Sequence, residues 1–162
     1  MKYSDDLFDV NHDIKLASIF GLICGVASAI ASVNDVGAAY IFISILIGNL
    51  IALKIDGIHH IISLFVFVFI CFVYGIPNLN LIILIICIIA ALSDEVGHEV
   101  FSNDNNHSFL NLFFEYRFLM KIVIFLLAIF GFFDVFVFIL FILFEISYEI
   151  AGIVFKNLKK EV

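Results

Sequence analysis

The sequence predicts an all-α fold: a polytopic membrane bundle of about six transmembrane helices arranged as three hairpins. Three observations carry that prediction. Hydrophobic residues make up 64% of the 162-residue chain and charged residues only 14%, against roughly 45–50% and about 25% in soluble domains. The apolar residues fall into blocks close to the roughly 20 needed to cross a hydrocarbon core of about 30 Å. Short polar or glycine-containing breaks separate these blocks, and none shows the alternating pattern of a β-barrel strand. The mean hydropathy of +1.21 leaves too little polar surface to cover a soluble domain. That excludes an ordinary cytosolic enzyme and a disordered segment. A net charge of −7 with no basic patch excludes a nucleic-acid partner. The partner the composition asks for is the lipid bilayer.

The predicted spans run from Leu16 to Val33, Ala38 to Ile55, Ile58 to Ile76, Leu79 to Glu95, Phe113 to Phe133 and Val135 to Phe155. Asn34-Asp35-Val36-Gly37 and Gly75-Ile76-Pro77-Asn78 read as tight turns, and Asp134 divides the last apolar block. With six spans both termini lie on one side. All eight Lys and Arg residues then fall on that side, while the other carries only Asp35 and Asp134. The positive-inside rule makes the basic side cytoplasmic. Residues 1–13 form an acidic cytoplasmic tail without the basic start of a cleaved signal. Residues 14–155 are the transmembrane domain, with a polar cytoplasmic loop near 99–112, and 156–162 are a basic cytoplasmic tail. Cys24, Cys71 and Cys87 all sit inside apolar spans and read as packing residues.

Lipid tails are as apolar as leucine, so close packing has to hold these helices together. The first span offers Ala17, Gly21, Gly25 and Ala29 at intervals of four, and the second offers Ser44, Gly48 and Ala52. The two stripes are expected to meet in the first hairpin. The third and sixth spans, rich in Phe and Ile, are expected to face lipid.

Chemistry is concentrated at the cytoplasmic ends of the second, fourth and sixth spans. Asp56 and His60, Asp94 and His98, and Glu145 and Glu149 are each four residues apart, the spacing that places side chains on one helix face. Asp56 and Asp94 are 38 residues apart, and Asp94 and Glu145 are 51 apart, the extra 13 matching the polar insertion from Phe101 to Phe113. Glu145 lies eleven residues beyond Asp134, about 16 Å deep, where an ionised side chain costs on the order of 2.5–3.5 kcal/mol. Arg117 and Lys121, four apart on the fifth span, are the charge-balancing candidates. The acids outnumber them, which makes the six residues candidate ligands for protons or a divalent ion such as Mg²⁺, Mn²⁺, Fe²⁺ or Zn²⁺. Asn49 could add a neutral ligand or bond across helices.

Enzyme signatures fit poorly. His98-Glu99-Val100-Phe101-Ser102 begins like a zinc-protease motif but has Ser102 where the second histidine belongs. No nucleophile elbow, P-loop or dinucleotide fingerprint occurs. Three readings stay open: cation or proton handling, a metal-dependent enzyme acting on a lipid head group, and a structural or assembly subunit. Six helices are few for a transporter, which points to a homo-oligomer.

The stretches Gly48-Asn49-Leu50-Ile51-Ala52-Leu53-Lys54-Ile55-Asp56, Ser93-Asp94-Glu95-Val96-Gly97, Phe113-Phe114-Glu115-Tyr116-Arg117 and Phe144-Glu145-Ile146-Ser147-Tyr148-Glu149 resemble segments of small archaeal polytopic membrane proteins, methanogen ones among them. The resemblance implies the multi-pass membrane class and carries over no catalytic or binding residue.

Overall fold

A computed structural model describes residues 1–101 and 108–160, and every element among them is helical. The order is α1 (Lys2–Asn11), α2 (Ile14–Asn34), α3 (Val36–Ile51), α4 (Ile58–Tyr74), α5 (Leu81–Phe101), α6 (Ser108–Glu115), α7 (Phe118–Ile129) and α8 (Val135–Lys160). Three of these are long and apolar enough to cross a membrane: α2, α5, and α8 over Val135–Leu158. The apolar helices α3, α4 and α7 are shorter, with 16, 17 and 12 residues. The polar stretch expected as a loop near 99–112 is helical up to Phe101 and again from Ser108, while 102–107 lie outside the described residues.

Local chemistry sets the boundaries. Asp13 caps α2 by accepting from Leu16 N–H (3.0 Å), and Asp35 caps α3 through Ala38 N–H (2.7 Å). Both are short side chains satisfying donors that a helix start leaves free. The second predicted span runs to Ile55, but α3 stops four residues earlier. Leu53 turns left-handed (φ 56°) and Lys54 N–H returns to Asn49 C=O at 2.9 Å, a closing pattern usually made by glycine.

Residues expected as a tail form α1. Its Leu7 is buried with Ala17 and Phe155, Tyr3 and Phe8 pack around them, and Ser4 Oγ donates to Ala17 C=O at 2.6 Å. Tyr3 and Leu7 lie four apart, so α1 has one apolar face to bury. The fifth predicted span is also different from expectation. It is two helices, α6 and α7, broken at Arg117, which adopts a left-handed conformation (φ 49°).

The small-residue stripes are used, with other partners. A methyl group on Gly21 would lie 2.6 Å from His59 C=O, and one on Gly25 would lie 2.6 Å from Ser63 C=O. The glycine face of α2 therefore packs directly on the backbone of α4, and both contacts join residues 38 apart, so the two helices run parallel. Gly48 of α3 meets Ala91 and Leu92 of α5. Small residues reveal that a face is close-packed but not which helix fills it. The Phe-rich face of α4 stays uncovered, Phe72 being 86% exposed.

The main apolar core joins Tyr40 and Ile41 of α3, Cys87 and Ala90 of α5, Ile124 of α7 and Phe141 of α8. At one end of the molecule Tyr40 packs on Phe133 and its hydroxyl accepts from Asn80 N–H. At the other end the charges gather. There Lys54 pairs with Glu99 at 3.3 Å, and Tyr3 packs edge-on against Phe155.

Candidate functional site

Two polar groups occupy the charged end, and the sequence-predicted residues are divided between them. The first is built on the start of α4. Gly57 opens that helix, and its missing side chain leaves room for the ring of His59. Against Gly21 on one side and Phe8 on the other (ring centroids 4.8 Å apart), His59 is 1% exposed. Its Nε2 lies 3.0 Å from Asp5 Oδ1, and His60 Nε2 lies 3.4 Å from the same oxygen. Asp56 Oδ1 stands 3.7 Å from His60 Nε2 on an exposed carboxylate. One ligand atom from each of Asp5, His59 and His60 falls within 4.8 Å of the others. Burial raises the Asp5 carboxyl above the ordinary carboxylate value, against the opposing pull of His60, the terminal amino group and His59.

Of these four, Asp56 and His60 are the pair expected from their spacing, and they are brought together. Sequence reasoning missed Asp5 and His59. Asp5 lies on α1, whose helical signal was the Tyr3/Leu7 pair. Adjacent residues of a helix do not normally share a face, so nothing in the pattern joined His59 to His60.

The second group lies where α5, α7 and α8 meet. Asp94, 1% exposed, accepts from Leu119 N–H (3.1 Å) and Met120 N–H (2.7 Å), both donors of the first turn of α7. A carboxylate from one helix thus caps another, where the positive end of the dipole favours it. Arg117 donates to Glu95 at 3.0 Å and stacks over the Tyr148 ring at 5.5 Å. Lys121 pairs with buried Glu145 at 3.2 Å and donates to Tyr116 C=O. Asp94, Arg117, Glu145 and Asn49 share the wall of a void of about 10 Å³, about the space of one water molecule. Glu149 is half-buried one turn beyond Glu145, and His98 is exposed near the end of α5. The six predicted ligands therefore do not form one constellation.

A cavity of about 450 Å³ connects the two groups. Its wall includes Asp5 of α1, Ser28 of α2, Asn49 of α3, His60 of α4, Glu95 of α5 and Tyr148 of α8, together with Asp56 and Arg117. Ile45, Asn49 and Arg117 border both the cavity and the small void, so they form the partition between them. The chain matches no family model, no curated protein and no solved structure.

Proposed function

We propose that the protein is a multi-pass integral membrane protein that takes a cation, a divalent ion or a proton, into a cavity with charged groups in its wall, open at its cytoplasmic end. The observation that carries this reading is the 450 Å³ cavity with a charged wall drawn from α1, α4, α5 and the α6–α7 junction, within a chain that is otherwise so apolar. The acids of the wall are Asp5, Asp9, Asp56 and Glu95, beside Lys2, Lys54, Arg117 and the terminal amino group. Lys2 is paired with Asp6, Lys54 with Glu99 and Arg117 with Glu95. Among the described residues, no Lys or Arg ion pair reaches Asp5 or Asp56. Ionisable residues kept at membrane depth usually mark ion or proton pathways. Six crossings, with α6 and α7 together making the fifth, put all eight basic residues at the cavity end, the arrangement the positive-inside rule assigns to the cytoplasm.

The test is uptake by proteoliposomes carrying an entrapped metal- or pH-sensitive dye. Mn²⁺, Zn²⁺ or protons are expected to enter vesicles containing the wild-type protein. Leu46→Trp, which fills the cavity from α3, is expected to abolish that signal. Vesicles that respond no better than protein-free ones would refute the reading.

A second reading is favoured by the inner group. Arg117–Glu95, Lys121–Glu145 and the Asp94 cap leave these charges satisfied by one another and by the backbone. They brace α5, α7 and α8 as they would in a structural or assembly subunit, whatever passes through the cavity.

A further inference from the structure

We propose that Asp5, His59 and His60 form a binding site for one transition-metal dication of the zinc class, with Asp56 as the fourth ligand. The inference deepens the cation-handling reading and rests on it in placing the ion at the cavity wall.

Geometry is the first argument. In a tetrahedron with metal–ligand bonds of about 2.0 Å, neighbouring ligand atoms are about 3.3 Å apart. The separations from Asp5 Oδ1 to His59 Nε2 and His60 Nε2 are 3.0 and 3.4 Å, and His60 Nε2 to Asp56 Oδ1 is 3.7 Å. The two edges at Asp5 already match, His59 and His60 offer nitrogens within 4.8 Å of each other, and the exposed Asp56 carboxylate has the freedom to move in.

Donor chemistry is the second. Two imidazole nitrogens with carboxylate oxygens suit Zn²⁺, Fe²⁺, Ni²⁺ or Cu²⁺, whereas Mg²⁺ and Ca²⁺ prefer all-oxygen shells. Two carboxylates and two neutral imidazoles around a dication sum to zero charge, which suits a site half-sunk in apolar protein.

The third argument is that separate parts of the fold bring these ligand atoms together. His59 is almost wholly buried and its Nδ1 has no hydrogen-bond partner. What the ring does present, held by Gly57 and Phe8, is Nε2 toward Asp5 and His60. Asp5 lies 54 residues from His59, so the ligands come from separate helices and no local turn requires them to meet.

The experiment is calorimetric titration of chelator-stripped, tag-free protein in detergent with Zn²⁺, and with Mg²⁺ for comparison. One Zn²⁺ per chain is expected, bound at least 100-fold tighter than Mg²⁺. Asp5→Asn and His60→Gln should each weaken Zn²⁺ at least tenfold, and Asp56→Asn by less. Buried His59 is a poor test position because its loss could disturb folding. His60→Cys supplies the second check: it should keep the metal and add a sulfur-to-metal charge-transfer band to the spectrum of the Co²⁺-loaded protein. Zn²⁺ affinity unchanged in Asp5→Asn and His60→Gln, no saturable Zn²⁺ binding, or no new band would overturn the site. The two proposals fail separately. Cation uptake that persists without Zn²⁺ binding sinks the metal site alone, and Zn²⁺ binding without uptake sinks the transport reading alone.

Discussion

Replacing Asp94 with alanine should be among the most damaging single changes in the inner half of the bundle. Both of its carboxylate oxygens accept from N–H groups at the start of α7, at 3.1 Å from Leu119 and 2.7 Å from Met120. Those donors have no partner within their own helix, and Asp94 is 1% exposed, so bulk solvent does not reach them. At about 1–3 kcal/mol for each orphaned donor the loss sums to roughly 2–6 kcal/mol. Relief from no longer burying a carboxylate offsets part of this, leaving an expected destabilisation of about 2–4 kcal/mol by that reckoning. Asp94→Asn keeps one acceptor oxygen and should cost about half as much. Ser93→Ala, one residue away, serves as the control and should stay within about 0.5 kcal/mol of wild type. The assay is reversible unfolding in mixed micelles of mild detergent and dodecyl sulfate, followed by far-ultraviolet circular dichroism. Amide exchange at Leu119 and Met120 gives the local readout and should accelerate in both variants. An Asp94→Ala protein as stable as the control, with exchange at those two amides unchanged, would refute the capping argument.

Gly25→Ala should destabilise the protein by about 1–3 kcal/mol in the same unfolding assay, because its methyl group would lie 2.6 Å from Ser63 C=O and 3.0 Å from Ser63 Cα. Only movement of the α4 backbone relieves that contact, and a variant as stable as wild type would show that α2 and α4 do not pack at this register. The raised pKa of Asp5 makes a pH prediction for the metal-free protein. The folded state holds the Asp5 proton more tightly than the unfolded chain does, so this contribution is full below the unfolded value of about 3.9 and is lost as pH rises through the folded one. Asp5→Asn does not titrate. Its stability relative to wild type should therefore increase as pH rises past the unfolded carboxylate value of about 3.9. Unfolding measured with chelator present checks this, and a flat or falling difference contradicts the assigned burial of Asp5.

The helical, apolar character of the chain was legible because composition and block length leave no other solution. The break at Asp35 was legible as a turn, though not its role as a cap accepting from Ala38 N–H. Helix partnership was not. The stripe from Ala17 to Ala29 marked the close-packed face of α2 correctly, yet that face meets α4 and not α3. The 38-residue offset between Asp56 and Asp94 was visible in the sequence, and the Gly21–His59 and Gly25–Ser63 contacts repeat the same offset. The α6–α7 break left no trace because Arg117, a residue with no turn preference, occupies the left-handed position. In the site, spacing found Asp56 with His60. It could not find Asp5, which reaches the cluster only because α1 folds back across the start of α4. Nor could it foresee that Asp94 would spend both oxygens on backbone amides, since that follows from the break in the neighbouring helix.

The parallel seat of α2 on α4 has a consequence for biogenesis. The surface that needs α4 is made first, and α3 must leave the ribosome before α4 follows. Until Tyr74 has been synthesised, Gly21 and Gly25 form an unfilled groove that another nascent chain could occupy. A nascent polypeptide arrested before Ile58 should therefore cross-link through that groove to foreign helices, whereas one arrested well past Tyr74 should have sealed it from within.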